Sequence, residues 1–126
     1  MKISMYLAIA GAVAILFGAA LLLLPEITIK QYGVPTEPHN LMQARYFGGT
    51  LLGYGLVLWL GRNLRDDAAL RVILQAGVVG NAVGAIVSAH AAVAGLQNEM
   101  AWGSVALFVL FLMGNLFYLS SVVRRA

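Results

Sequence analysis

In "QAGVVGNAVGAIVSAH" (residues 75–90), three glycines, an asparagine and a serine interrupt an apolar run that carries no Lys, Arg, Asp or Glu. A helix turns about 100° per residue. On such a helix Gly77, Gly80, Asn81, Gly84, Ser88, Ala91 and Gly95 share one sector, and Val72, Val79, Val83 and Ile86 take the opposite side. Helices in lipid pack where small residues let backbones approach, with occasional polar contacts as clasps. The stretch therefore predicts a membrane-spanning helix with a packing seam on one face and bulky aliphatics on the other.

The rest of the chain agrees. Of its 126 residues 61% are hydrophobic and 10% charged, and its mean hydropathy is +0.86. Soluble domains are about a quarter charged, so these charges are too few to cover a water-facing surface. Crossing roughly 30 Å of hydrocarbon takes about 20 apolar residues. Four runs come near that: "MYLAIAGAVAILFGAALLLL" (5–24), "ARYFGGTLLGYGLVLWLG" (44–61), about 69–95, and "AWGSVALFVLFLMGNLFYLSSVV" (101–123). The expectation is a single all-α domain, an integral membrane antiparallel four-helix bundle with the lipid bilayer as its solvent. The first run follows Lys2 and contains "GAA" (18–20), but it exceeds the usual signal-peptide core, so it is read as a retained span.

Residues 62–68 ("RNLRDDA") and 96–100 ("LQNEM") are short turns. Residues 25–43 form the one long connection, where prolines 25, 35 and 38 argue against a continuous helix. A short interfacial segment near Ile27–Tyr32 stays open as an option. Lys2, Arg62, Arg65, Arg71, Arg124 and Arg125 fall on one side of the membrane, and only Lys30 and Arg45 on the other. The positive-inside rule then places both termini in the cytoplasm and the 25–43 loop outside, in a bacterial inner membrane. The basic residues flank apolar runs rather than cluster on a soluble face, so nucleic acid is not an expected partner.

Small residues recur on every span. Gly49 and Gly53 form a small-xxx-small pair, Gly48 and Gly55 lie on another side of the same helix, and Ala8, Gly11, Ile15 and Gly18 line the first span. In the fourth, Ser104, Phe108, Phe111, Asn115, Tyr118 and Val122 share a side, with aromatics sized to fill the glycine groove of the third. An Asn81–Asn115 or Asn115–Gln75 bond would suit this pairing, at about 0.6 kcal/mol for a typical membrane hydrogen bond.

Chemistry has little to build on. Cysteine is absent, no acidic residue lies within a span, no two histidines have helical ligand spacing, and no phosphate-cradling loop is present. Neither enzyme activity, a metal nor a cofactor is expected. Nor does the first span carry an ionisable group other than Tyr6 near its end, where small four-span exporters have a membrane-embedded glutamate, which counts against a dimeric small-solute exporter. Asn81 and Asn115 read as interhelical glue. His90 lies away from the seam, as an amphipathic side chain at headgroup level, and Arg45 reads as an interfacial anchor. If a polar site exists it lies on the outward side, where His39, Arg45, His90 and Glu99 fall. Trp59 and Trp102 suit aromatic belts at opposite interfaces.

The Pro25-ended first span, "QYGVP" (31–35), "RYFGGTLLGYGLVLW" (45–59), Asn81 and "GNLFYL" (114–119) together resemble small bacterial four-span proteins of the DoxX-like kind and related domains of unknown function. The resemblance implies a four-helix membrane bundle with an accessory role, and carries over no catalytic residue. The function expected is a non-catalytic accessory, scaffolding or assembly subunit whose partner is another membrane protein or a second copy. The alternative is a binder or carrier of a lipophile such as a quinone, lipid or pigment, near Asn81, Asn115 and Tyr118.

Overall fold

The computed structural model describes residues 1–125. The fold is all-α, with no strand among the described residues and five helices: α1 (Ile3–Leu23), α2 (Pro25–Gln31), α3 (Pro38–Gly61), α4 (Asp67–Val93) and α5 (Met100–Arg125). Prolines 25 and 38 do prevent one continuous helix, but each also opens a new one. At the first helical position the missing N–H would have had no partner anyway, and the fixed φ suits the helix. The expected loop at 25–43 is thus a seven-residue helix, a short link and the first turns of α3.

Local chemistry sets the other boundaries. Asp66 caps α4 by accepting a hydrogen bond from Ala68 N at 2.9 Å. Gly95, at φ +72°, ends α4: Leu96 N donates to Ala91 O at 2.9 Å and Gly95 N to Ala92 O at 3.3 Å. This is a Schellman motif, which needs a left-handed residue and so favours glycine. Gly33, also at φ +72°, ends α2 the same way, with Val34 N donating to Ile29 O and Gly33 N to Lys30 O.

Three helices, α1, α4 and α5, are long and apolar enough to cross a membrane, rather than the four expected. Helix α3 has the length, at 24 residues, but opens with "PHNLMQAR" and carries five glycines. Its hydropathy is lowered by that polar start and by the glycines, of which Gly49 and Gly53 are exposed.

The helices pack as two hairpins, α1 on α3 and α4 on α5. Gly11 and Gly18 on α1 are seven residues apart, as are Gly48 and Gly55 on α3. Seven residues is nearly two turns, so each pair shares a face. Antiparallel alignment sets Gly18 against Gly48 and Gly11 against Gly55. A Cβ on Gly18 would stand 2.6 Å from Leu52 N and 2.8 Å from Gly48 O; one on Gly55 would stand 2.8 Å from Ile15 N. The hydrogen occupying that position on Gly18 is aimed at a carbonyl of the other helix, a geometry for weak Cα–H···O contacts.

The hairpins meet at both ends. At the end carrying the termini, Tyr6, Leu7, Leu58, Leu70, Leu74, Tyr118 and Val122 from all four long helices form the apolar core. At the far end the junction is polar. Asn98 donates N–H to Tyr32 O at 2.8 Å and Nδ2 to Gln31 O at 2.8 Å, while its Oδ1 accepts from Met100 N at 2.9 Å. The Tyr32 hydroxyl bonds Ser104 Oγ at 3.0 Å. Total exposed area is 7665 Å², against about 6,500 Å² for a compact soluble monomer of this mass. The excess matches helices whose outer sides are bare: Leu16, Leu60 and Ile86 are each 70% exposed.

Asn98 thus caps α5 and ties one hairpin to the other. Asn98→Ala should lower unfolding free energy in detergent by about 2 kcal/mol, summing one cap and about one hydrogen bond. Asn98→Asp keeps the Oδ1 acceptor but loses the Nδ2 donor, and should fall between the two in a thermal-unfolding series.

Candidate functional site

The α4–α5 seam combines complementary volumes. Gly77 leaves the space that the Asn115 side chain fills, so that a Cβ there would be 2.7 Å from Asn115 Oδ1. Gly84 receives the Phe108 ring, with Cε1 2.6 Å from the same hypothetical atom. Asn115 and Phe108 of α5 thus occupy these two notches of α4. Ser88 is half-buried beside this seam.

Both buried asparagines turn to their own helices. Asn81 Nδ2 donates to Gly77 O at 2.7 Å, and Asn115 Nδ2 donates to Phe111 O at 2.8 Å. Neither the Asn81–Asn115 nor the Asn115–Gln75 bond forms, and Gln75 is exposed. The reason is geometric. A carbonyl one turn back is within reach of each amide without any interhelical distance to match, and short polar side chains compete for such local partners.

At the end carrying the termini, the polar links between hairpins come instead from tyrosines. Tyr6 OH donates to Phe111 O at 2.9 Å, bridging α1 and α5. Tyr118 OH donates to Met1 O at 2.7 Å, and its ring stacks on Tyr6 with centroids 4.9 Å apart. Gly114 makes this possible, since a side chain there would run into the Tyr6 ring. Phe111 packs half-buried against the same core. Tyr6 was not among the seam residues singled out from the sequence; a tyrosine near the start of an apolar span needs a partner for its hydroxyl, and that was the available signal.

Helix α3 has two glycine faces. Gly48 and Gly55 grip α1, whereas Gly49 and Gly53 are exposed with open space where a Cβ would stand. Gly80 on α4 is open as well. Gly49, Gly53 and Gly80 therefore take no part in the intramolecular seam they were expected to join. The helix already in contact uses the seven-residue spacing, and the remaining small residues are left facing outward.

The four outward polar residues are spread over separate places. His39 pairs with Glu37 (Nδ1–Oε2 3.7 Å) at the start of α3. Arg45 lines a cleft with Glu26, whereas Glu99 lines a different depression with Asn98 and Met100. His90 is exposed in the last turn of α4, where its backbone carbonyl accepts from Ala94 N. Among the described residues no three His, Cys, Asp or Glu side chains converge on one point. At the opposite end Arg62 stacks over the Trp59 ring, 4.4 Å from its centroid, and donates to Trp59 O.

No curated protein and no solved structure matches the chain. A family described as "Domain of unknown function (DUF8292)" matches residues 9–124, from the second turn of α1 to the last turn of α5. No DoxX-like family is matched, so that resemblance goes no further than the shared pattern of spans and glycines. With both hairpins almost entirely inside the match, the chain belongs to the DUF8292 family.

Proposed function

We propose that this is a multi-pass protein of the bacterial inner membrane in which α3 crosses beside α1, α4 and α5. It forms an antiparallel four-helix bundle with both termini in the cytoplasm. It acts without catalysis, as a scaffolding or assembly subunit of a homo-oligomer or of a larger membrane complex.

The crossing of α3 is supported by its register. Gly18 lies against Gly48 and Gly11 against the Gly55–Trp59 turn, so the two helices cover the same depth. An open-glycine surface on α3 is tolerated in lipid because the backbone bonds it uncovers are satisfied within the helix. The charges agree: Lys2, Arg62, Arg65, Arg71, Arg124 and Arg125 sit at the terminal end and only Lys30 and Arg45 at the other. Bare aliphatics on all four long helices far exceed the patches a soluble monomer exposes.

The observation that carries the assembly role is the open face of α3. Gly49 and Gly53, with Thr50 between them, present a small-xxx-small stripe that nothing in the chain covers. Such stripes are the surfaces on which membrane helices associate closely. In mild detergent the protein should purify with itself or with a stoichiometric membrane partner. Gly53→Leu should abolish that association while the variant still elutes as a folded, monodisperse species. Wild type recovered as a lone monomer, without any partner, contradicts the proposal.

A further inference from the structure

At the end of the fold away from the termini, the close of α1, the start of α2 and the second turn of α3 surround an open cleft of about 250 Å³. Leu23, Leu24, Ile27 and Leu41 make its apolar side, and Glu26 and Arg45 its charged side. Leu22 packs beside Gly48. Arg45, three residues nearer the start of α3, therefore lies level with the end of α1, where hydrocarbon gives way to headgroups. The three aliphatic residues that precede or follow Pro25 and Glu26 here, Leu23, Leu24 and Ile27, are 74%, 56% and 60% exposed. The one contact of salt-bridge length among the described residues joins His39 to Glu37, so neither Glu26 nor Arg45 has an oppositely charged partner at that distance among those residues.

We propose that this cleft holds the headgroup of a zwitterionic phospholipid bearing a primary ammonium, with the phosphate on Arg45, the ammonium on Glu26 and an acyl chain along Leu23, Leu24 and Ile27. The charge pattern selects this class. A guanidinium matches phosphate oxygens with its fork of donors, and a carboxylate accepts from an N–H-bearing ammonium. A quaternary ammonium has no N–H to donate to Glu26. A purely anionic headgroup leaves Glu26 without a counter-charge and close to the phosphate. Free phosphate would leave the apolar wall unused. This inference rests on the membrane-embedded reading above, which membrane sedimentation of the wild-type chain reports separately.

The test is native mass spectrometry of the purified full chain, offered equal amounts of dioleoyl phosphatidylethanolamine, phosphatidylcholine and phosphatidylglycerol. Wild type should retain the phosphatidylethanolamine adduct severalfold over the other two. Glu26→Gln should reduce it to the phosphatidylcholine level, and Arg45→Gln should weaken all phospholipid adducts together. Both side chains are exposed, so neither variant should alter elution on size exclusion. Excess soluble phosphoethanolamine should fail to displace the lipid; displacement would overturn the assignment to a lipid. A wild type that binds the three lipids equally, or variants with an unchanged adduct profile, would overturn the site, even in a chain that sediments with membranes.

Discussion

Gly18→Leu is expected to abolish the fold, whereas Gly53→Ala, at an exposed glycine, is expected to leave it intact or make it slightly more stable. The atoms nearest a Cβ at Gly18 are Leu52 N at 2.6 Å, Gly48 O at 2.8 Å and Leu52 Cα at 2.9 Å, all backbone. No rotamer change can move them; the two helices must separate along their length. Overpacked cores lose about 1–3 kcal/mol when side chains can adjust, and here they cannot, so a loss of about 3 kcal/mol or more is expected. Gly48→Leu should do the same, against Leu22 N at 2.7 Å. At Gly53 a methyl meets nothing within 4 Å, and alanine is about 0.8–1 kcal/mol better than glycine within a helix. Retention of a folded peak during heating in detergent distinguishes the three variants.

The second large effect is expected at Gly114. Alanine there collides with the Tyr6 ring, whose Cζ and hydroxyl would lie 2.7 Å from the added carbon. Tyr6 is 6% exposed and held twice, by its bond to Phe111 O and by stacking on Tyr118. Its neighbour in the core, Leu7, is fully buried. Moving the ring breaks the hydrogen bond that joins the hairpins, so Gly114→Ala should cost about 2–3 kcal/mol. Tyr6→Leu should also destabilise, by removing both the ring and the bond. Combined, the two should cost less than their sum by about 1–2 kcal/mol, because the smaller side chain makes room for the methyl. Strict additivity would mean that Gly114 is not there to seat Tyr6.

Much of the architecture was legible in the residues. The 3.6-residue rhythm of α4 put Gly77 and Gly84 on one face, and that of α5 put Phe108 and Asn115 on another, with sizes that fit. On α3, period alone could not say which glycine pair meets α1, since both faces are equally small. The matched spacing of seven between Gly11–Gly18 and Gly48–Gly55 holds the answer, but only when two helices are compared. The prolines of 25–43 argue against one continuous helix, but two of them, Pro25 and Pro38, stand in a first turn, where proline starts a helix. The long-range partners of Asn98 were invisible, because they are backbone carbonyls of residues more than sixty positions away. "QYGVP" was noted only as a motif; in the structure it is the junction where Tyr32 reaches Ser104 and Gly33 turns α2 onto Asn98. The outward group of His39, Arg45, His90 and Glu99 was assembled from membrane side alone, and side does not imply proximity.

Whether α3 crosses the membrane decides the rest. Three crossings would put the termini on opposite sides, and four put them together. The chain contains no cysteine, so single cysteines report position without background. Thr36 and Asn63 flank α3 and are both exposed. With α3 spanning, a membrane-impermeant maleimide added to spheroplasts should label Thr36→Cys at once and Asn63→Cys only after permeabilisation. Labelling of both from the same side would contradict the four-span fold and the open α3 face that depends on it.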